Sequence, residues 1–298
     1  MLIDSILDCI KETPLVRLGN MSSGNVLAKA EFLHPGGSVK DRVAKHIVES
    51  AEAGGELKPG MTIIEATSGN TGIGLSLVGA QKGYHVICIM PENMSEERRR
   101  IIRAFGGEII STPAEMSLKG SLEKLEEITA QDPNRYFIAN QFSNPRNPET
   151  HYLQTATEIW RDTEGRIDVF VAGVGSGGTL QGIGKFLREK KPNVKLVAVE
   201  PKTSAALLGR EPGLHQIHGI GDGFIPDVLD VNIVDMVFTV SDEEAIETTR
   251  KLSQKEGLLV GTSSGANVFA ALHMDNGTNR IVTVLPDRAE RYFSTALI

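Results

Sequence analysis

The sequence predicts an α/β fold of two open, parallel-type domains, and three observations predict it. Short apolar runs rich in β-branched residues alternate with helix-length segments. A polar Asn/Pro-rich stretch divides that alternation into two blocks, and three of the strand-to-helix turns are crowded with glycine and other small residues. Continuous apolar strands joined by helices imply parallel sheets covered on both faces.

The elements follow in chain order. "HPGGSVKDR" (His34 to Arg42) is a Pro-Gly-Gly turn leading into an amphipathic helix near Lys40. That placement raises a question, because an ammonium in the first turn of a helix meets the positive end of its dipole. Either Lys40 is a solvated surface residue, or the chain uses a lysine that loses its proton easily. "TIIEAT", "HVICIMP", "GEIIST" and "YFIAN" then read as strands, separated by helical stretches such as "NTGIGLSLVGAQKG" and "SEERRRIIRAFG". After residue 165 the alternation resumes with "DVFVAGV", "KLVAVEP" and "RIVTVLP". "NQFSNPRNPETH" (Asn140 to His151) marks the boundary. The larger domain is expected to hold residues 1–38 and 141–298 and the smaller, mobile one residues 39–140, with a ligand cleft between them.

At 298 residues the chain can bury a sizeable core. Its net charge of −7 argues against nucleic acid, which demands a basic surface. The run "EERRRIIR", with apolar Ile101, Ile102 and Phe105, reads as the wet face of a helix. No stretch has the length and apolarity of a membrane span, and the early acids of the N-terminus do not suit a signal peptide. The two cysteines, Cys9 and Cys88, form no CxxC pair. Cys88 in "HVICIMP" reads as a small buried apolar residue. No metal site or disulfide is expected, and a reducing, cytoplasmic location fits best.

The glycine-rich turns are "TSGNTG" (Thr67 to Gly72), "GVGSGGTL" (Gly173 to Leu180) and "GTSSGAN" (Gly261 to Asn267). Backbone N–H groups exposed at such a turn, together with the dipole of the helix that follows, make an anion site. Tight βα packing is the plainer explanation for one such turn, and three in a single chain favour anion binding. Gly173, Gly175 and Gly178 also satisfy GxGxxG after a strand, with Glu200 closing the next strand, as a dinucleotide site would require. A nicotinamide-dependent dehydrogenase is therefore a runner-up, although it leaves "TSGNTG", "GTSSGAN" and Lys40 without a task.

Taken in order, "HPGGSVKDR", "TSGNTG", "MPENMSEERR", "NQFSNPRNPETHY", "GVGSGGTL", "VEP", "GIGDGFIP", "GTSSGA" and "LPDRAERYFST" resemble the cysteine synthase / cystathionine β-synthase family over essentially the whole chain. These are fold-type II, tryptophan synthase β-like enzymes that use pyridoxal 5′-phosphate, and O-acetylserine sulfhydrylase is the nearest pattern. The resemblance implies that Lys40 holds the cofactor covalently and later acts as general base; an amine attacks a carbonyl only when neutral, which a helix N-terminus favours. It implies that Gly175, Ser176, Gly177, Gly178 and Thr179 cradle the cofactor phosphate, that Asn70 bonds the ring hydroxyl, and that Ser263 faces the pyridine nitrogen. Thr67, Ser68, Gly69, Asn70 and Thr71, with Gln141, are implied to grip the substrate carboxylate. A neutral serine at the pyridine nitrogen weakens the electron sink and suits β-elimination over transamination.

The implied reaction is β-replacement through α-aminoacrylate, making L-cysteine from O-acetylserine or another O-activated serine and sulfide, in a homodimer. Alternatives are an L-cysteine β-lyase releasing sulfide and serine, a cystathionine-forming β-synthase, and, outside this chemistry, a non-catalytic binding protein. The lack of room for an N-terminal haem region or C-terminal regulatory modules argues against a full-length animal-type cystathionine β-synthase, although the family includes compact microbial forms. In that family a C-terminal isoleucine that docks into active sites belongs to partner proteins, so Ile298 carries no such implication.

Several positions depart from the family pattern: His34, Ala66, Gln154, the pair Arg288 and Ala289, and Asp222 in "GIGDGFIP". Asp222 between glycines is a good turn former. It is also a candidate specificity residue, because a carboxylate facing the site would repel hydrosulfide and could activate water.

Overall fold

The computed structural model describes residues 2–297, so the remark on Ile298 falls outside the described residues. Along the chain the strands are β1 (Leu15–Arg17), β2 (Val26–Lys29), β3 (Thr62–Ala66), β4 (His85–Pro91), β5 (Glu108–Thr112), β6 (Tyr136–Ile138), β7 (Val169–Gly173), β8 (Lys195–Pro201), β9 (Met236–Val240) and β10 (Ile281–Val284). The helices are α1 (Lys40–Ala53), α2 (Asn70–Lys82), α3 (Glu96–Ala104), α4 (Ser117–Gln131), α5 (Arg146–Thr150), α6 (Ala156–Asp162), α7 (Gly178–Lys190), α8 (Asp242–Glu256) and α9 (Thr262–Met274). The fold is α/β, and the chain divides into two units.

The smaller unit, residues 2–11 and 34–146, holds an all-parallel sheet in the order β5-β4-β3-β6. β3 is buried along its whole length, as the position of an inner parallel strand requires, Glu65 included. α1 turns Val43, Ala44, Ile47, Val48 and Ala51 inward at helical spacing, whereas α2 is buried nearly all round from Thr71 to Gly79. α2 stops at Gly83, whose left-handed backbone donates its N–H to the Gly79 carbonyl.

The larger unit, residues 12–33 and 147–297, holds six strands in the order β1-β2-β10-β7-β8-β9, parallel except for the antiparallel edge pair β1–β2. α8 begins with a capping box in which Ser241 and Glu244 bond each other's backbone N–H groups, and it ends at left-handed Gly257.

The division differs from the sequence expectation at its edges. Residues 2–11 join the smaller unit because Leu7 and Ile10 pack into its core with Ile47 and Leu77, and Lys45 Nζ donates to the Leu7 carbonyl at 2.9 Å. Residues 34–38 join it because Asp41 accepts the Gly36 N–H at 2.6 Å. Residues 141–146 are held there by Glu65 and by the Arg146–Glu56 ion pair. The sequence reading also passed over β1, β2 and β9. In β2 the signal is short and ends in a charge, Lys29, which is nonetheless fully buried.

Lys29 is satisfied inside the larger unit, with Nζ 2.7 Å from Glu158 Oε2 and donating to the Thr13 carbonyl. Removing one partner of a buried ion pair strands the other charge. Lys29→Met is therefore expected to cost about 3–5 kcal/mol in urea unfolding. The double substitution Lys29→Met/Glu158→Leu should recover most of that loss.

Candidate active site

In the smaller unit the sequence-predicted residues collect at the C-terminal ends of parallel strands, where open α/β sheets bind ligands. Lys40 is the first residue of α1, half-buried, with its N–H donated to Ser38 Oγ at 3.3 Å. Its backbone carbonyl lies against α2, and a methyl group on Gly74 would come within 2.9 Å of that oxygen. The start of α1 therefore sits beside the "TSGNTG" turn.

That turn leaves β3 at Thr67, whose hydroxyl accepts the Gly69 N–H at 3.0 Å. Gly69 has φ of 140°, a conformation closed to residues with a Cβ, and Asn70 and Thr71 open α2. Thr71 Oγ1 donates to Gln141 Oε1 at 2.5 Å, and Gln141 Nε2 reaches the Ala66 carbonyl at 3.4 Å. Thr67, Thr71 and Gln141 are buried, and Ser68 and Asn70 are half-buried.

Two charged residues that the sequence reading did not place at the site stand behind this turn. The "EERRR" run is not simply a wet helix face, because Arg98 and Arg99 of α3 are buried. Arg98 lies one helical step from buried Ile102, and a methyl group on Gly69 would collide with its Cδ. The i,i+4 phase with Ile102 is the signal that could have found it. The second is Glu65, the one acid inside the apolar run "TIIEAT". Its carboxylate accepts the Asn140 N–H at 2.6 Å and the Gln141 N–H at 3.1 Å. Burial raises its pKa to about 7, against the lowering effect of those bonds. Neighbouring Cys88, buried as expected, has its thiol pushed up to about 12 by desolvation and by Glu65.

In the larger unit the predicted phosphate loop runs from β7 to Gly178, the first residue of α7. Ser176 is buried and its Oγ accepts from Asn147 Nδ2 at 3.0 Å. Gly178 is required by that contact, since a methyl group there would collide with the Asn147 amide. Thr179 Oγ1 lies 3.3 Å from His151 Nε2, and His151 Nδ1 lies 3.0 Å from Thr155 Oγ1. His151 to Thr155 form a π-helical turn, a distortion frequent beside functional sites. The sequence reading treated Asn147 and His151 as boundary residues; their polar character inside the Asn/Pro-rich stretch was the available sign.

Ser263 is buried in the first turn of α9, and Ser264 Oγ beside it is buried with no hydrogen-bond partner among the described residues. Asp222 is half-buried. Its loop is bonded to the phosphate loop, because Gly221 donates its N–H to the Val174 carbonyl at 2.9 Å.

Among the departures from the family pattern, Arg288 Nε donates to the Phe32 carbonyl at 2.9 Å, and His34 is buried with its carbonyl accepting the Gly37 N–H. Both have structural tasks. Ala66 is buried at the end of β3, and Gln154 lies in the π-helical turn.

Glu200 does not fit the dehydrogenase reading. It is buried, and its carboxylate accepts the Leu207 N–H at 3.1 Å, so it holds a turn of its own chain where a ribose would need it.

The chain belongs to the pyridoxal-phosphate dependent enzyme family, whose family model matches residues 6–287. It is 48% identical to cysteine synthase A of Escherichia coli strain K12 over 300 residues, covering 97% of this chain and 93% of that one. Among solved structures it resembles a cysteine synthase (OASS) of Entamoeba histolytica, with TM-score 0.94 and 41% identity over 100% of this chain and 91% of that one. It also resembles a hydrogen sulfide-producing enzyme of Fusobacterium nucleatum, with TM-score 0.94 and 42% identity over 98% of this chain and 100% of that one.

The cofactor is pyridoxal 5′-phosphate, and the residues present suit it. Within the larger unit, a glycine loop at a helix N-terminus suits a dianion and Ser263 offers a neutral hydroxyl; the smaller unit, taken by itself, presents an amine, Lys40, at the start of a helix. The buried, unpartnered Ser264 oxygen adds polar capacity beside Ser263.

Two predictions follow from this geometry. Gly178→Ala should displace Asn147 and weaken pyridoxal phosphate binding by about tenfold or more, one lost charge-assisted hydrogen bond being sufficient; equilibrium dialysis followed by visible absorbance measures it. The second concerns Glu65, whose folded pKa lies above the ordinary 4.5, so its contribution to stability is full below pH 4.5 and is lost as pH rises through about 7. Compared with Glu65→Gln, the native chain should lose on the order of 3 kcal/mol of unfolding free energy across that window.

Proposed function

We propose that the protein makes L-cysteine by β-replacement, exchanging the acetoxy group of O-acetylserine for sulfide. The observation that carries this reading is likeness to a cysteine synthase along 97% of the chain, together with Lys40 standing at the start of α1.

When bound, the pyridoxal ring withdraws electron density from the substrate α-carbon and so eases loss of the β-substituent. In this reading Lys40 would hold the cofactor, and its Nζ would take the substrate α-proton. The helix N-terminus disfavours the ammonium form and so keeps that amine ready to accept it. Thr67 to Thr71 and Gln141 bind the substrate carboxylate and orient the Cα–H bond toward the lysine. Closure of the smaller unit's loop over the substrate would exclude water. Gly175 to Thr179 would hold the phosphate, Asn70 would bond the ring hydroxyl, and the Ser263 hydroxyl would face the ring nitrogen as a neutral partner. Sulfide then adds at the β-carbon where acetate left. Amino acid and sulfide as substrates, a homodimer and a cytoplasmic setting all belong to this reading.

A second reading consumes L-cysteine, releasing sulfide and adding water to give serine. It is favoured by the likeness to a hydrogen sulfide-producing enzyme and by the bond between the Asp222 loop and the phosphate loop. Asp222 would there take a proton from the attacking water.

The test is a sulfide assay with O-acetylserine plus sulfide and, separately, with L-cysteine alone. Cysteine formation with less than one sulfide released per site from cysteine supports the synthase. Multiple turnovers of sulfide and serine, lost on Asp222→Ala, would replace it with the lyase. Under either reading Lys40→Ala should lower kcat by about a thousandfold or more.

A further inference from the structure

Glu65 has no role in the chemistry described above, yet it lies directly beneath the part of the site assigned to substrate. It occupies an inner strand, opposite Cys88 on β4, and is 2% exposed. On its other side β6 pairs with β3 only as far as Ile138. The chain then leaves the sheet: the Ala139 N–H still reaches the Ile64 carbonyl at 3.3 Å, but Asn140 and Gln141 turn away. Asn140 takes φ of 56°, one of three non-glycine residues with positive φ among the described residues. That conformation costs an L-residue free energy unless its surroundings hold it, though Asn bears it better than most.

The two N–H groups freed by the turn are taken up by the two Glu65 oxygens, one each. Asn144 Nδ2 closes the turn from outside on the Ala139 carbonyl at 2.8 Å. The outcome is a Gln141 whose main chain is held by Glu65 and whose side chain is held between Thr71 and Ala66.

We propose that Glu65 is a positioning residue for the amino-acid substrate: its carboxylate grips the Asn140–Gln141 backbone in a left-handed turn and thereby sets the Gln141 amide against the Thr67–Thr71 turn. This rests on the reading that Gln141 and that turn bind the substrate carboxylate. Glu65 touches neither substrate nor cofactor and acts through Gln141. Glutamine at the same position keeps the volume and one acceptor, but it places an NH2 group against the second backbone N–H. One charge-assisted hydrogen bond is lost and the turn is free to relax.

The experiment uses the pyridoxal phosphate-loaded enzyme above pH 8, where Glu65 is ionised, and compares Glu65→Gln, Gln141→Ala, the double variant, and Glu65→Gln/Asn140→Gly. Glu65→Gln should raise KM for O-acetylserine about tenfold or more while kcat stays within about threefold. Hydrogen exchange at the Asn140 and Gln141 amides, measured without substrate, should accelerate in the same variant. The double variant with Gln141→Ala should be no worse than Gln141→Ala alone, because both substitutions break one linkage. Glycine at 140 adopts the left-handed turn unaided, so Asn140→Gly should restore KM in the Glu65→Gln background to within about threefold of the native value. It also provides a folded test protein should Glu65→Gln alone fold poorly.

If Gln141→Ala raises KM and Glu65→Gln does not, or if the two effects add, Glu65 is only a structural acid and the proposal is overturned while the substrate reading stands. If Gln141→Ala itself leaves KM unchanged, the substrate reading of Gln141 fails and the proposal falls with it.

Discussion

Buried backbone N–H groups must be paired, and this constraint governs how the functional edges of both sheets are built. A parallel sheet satisfies its strands while they run together, but a site needs the chain to leave the sheet. β6 ends at Ile138 while β3 continues to Ala66, and the N–H groups beyond β6 find the Glu65 carboxylate in place of a strand. In the larger unit Val174 continues the ladder for one further bond to Val199 and then offers its carbonyl to Gly221. The loops at these edges are thus tied to the core by bonds outside the ladders, and their geometry is inherited from the strands.

The same constraint accounts for charged residues in places that their chemistry alone would forbid. Lys29 ends a buried strand and is answered by Glu158 and by a backbone carbonyl. Glu200 ends another and is answered by the backbone of its own next turn. Arg99 leaves the helix surface to donate to Ser111 Oγ at 3.0 Å. Each would be costly if stranded and is acceptable because a specific acceptor or donor lies within reach. Buried polar groups of this kind specify one arrangement of neighbouring elements, since a slipped strand or rotated helix would leave them unanswered.

The glycines of the site serve close approach more than flexibility. At Gly178 the Asn147 amide occupies the space of a side chain, and it holds Ser176 from that position. At Gly69 the aliphatic part of Arg98 does the same beneath the "TSGNTG" turn. A glycine-rich turn read as an anion site is therefore also a packing site. The two readings are compatible, because a loop that presents its N–H groups outward needs firm support behind it.

What the sequence alone determined was the α/β class, the strands β3 to β8 and β10, the glycine-rich turns and the lysine at the start of a helix. These are legible because period, apolarity and turn chemistry are local properties of the chain. The likeness to the pyridoxal-phosphate family extended this to named positions, since many short motifs stood in order. What only the tertiary structure decided was which distant residues meet: the N-terminal residues entering the smaller unit, β2 lying between β1 and β10, Glu65 reaching Asn140, and Asn147 reaching Ser176. The "EERRR" face was misread for the same reason. A charged residue looks like surface in sequence, because the partner that permits its burial is contributed by a segment far along the chain, and only folding brings the two together.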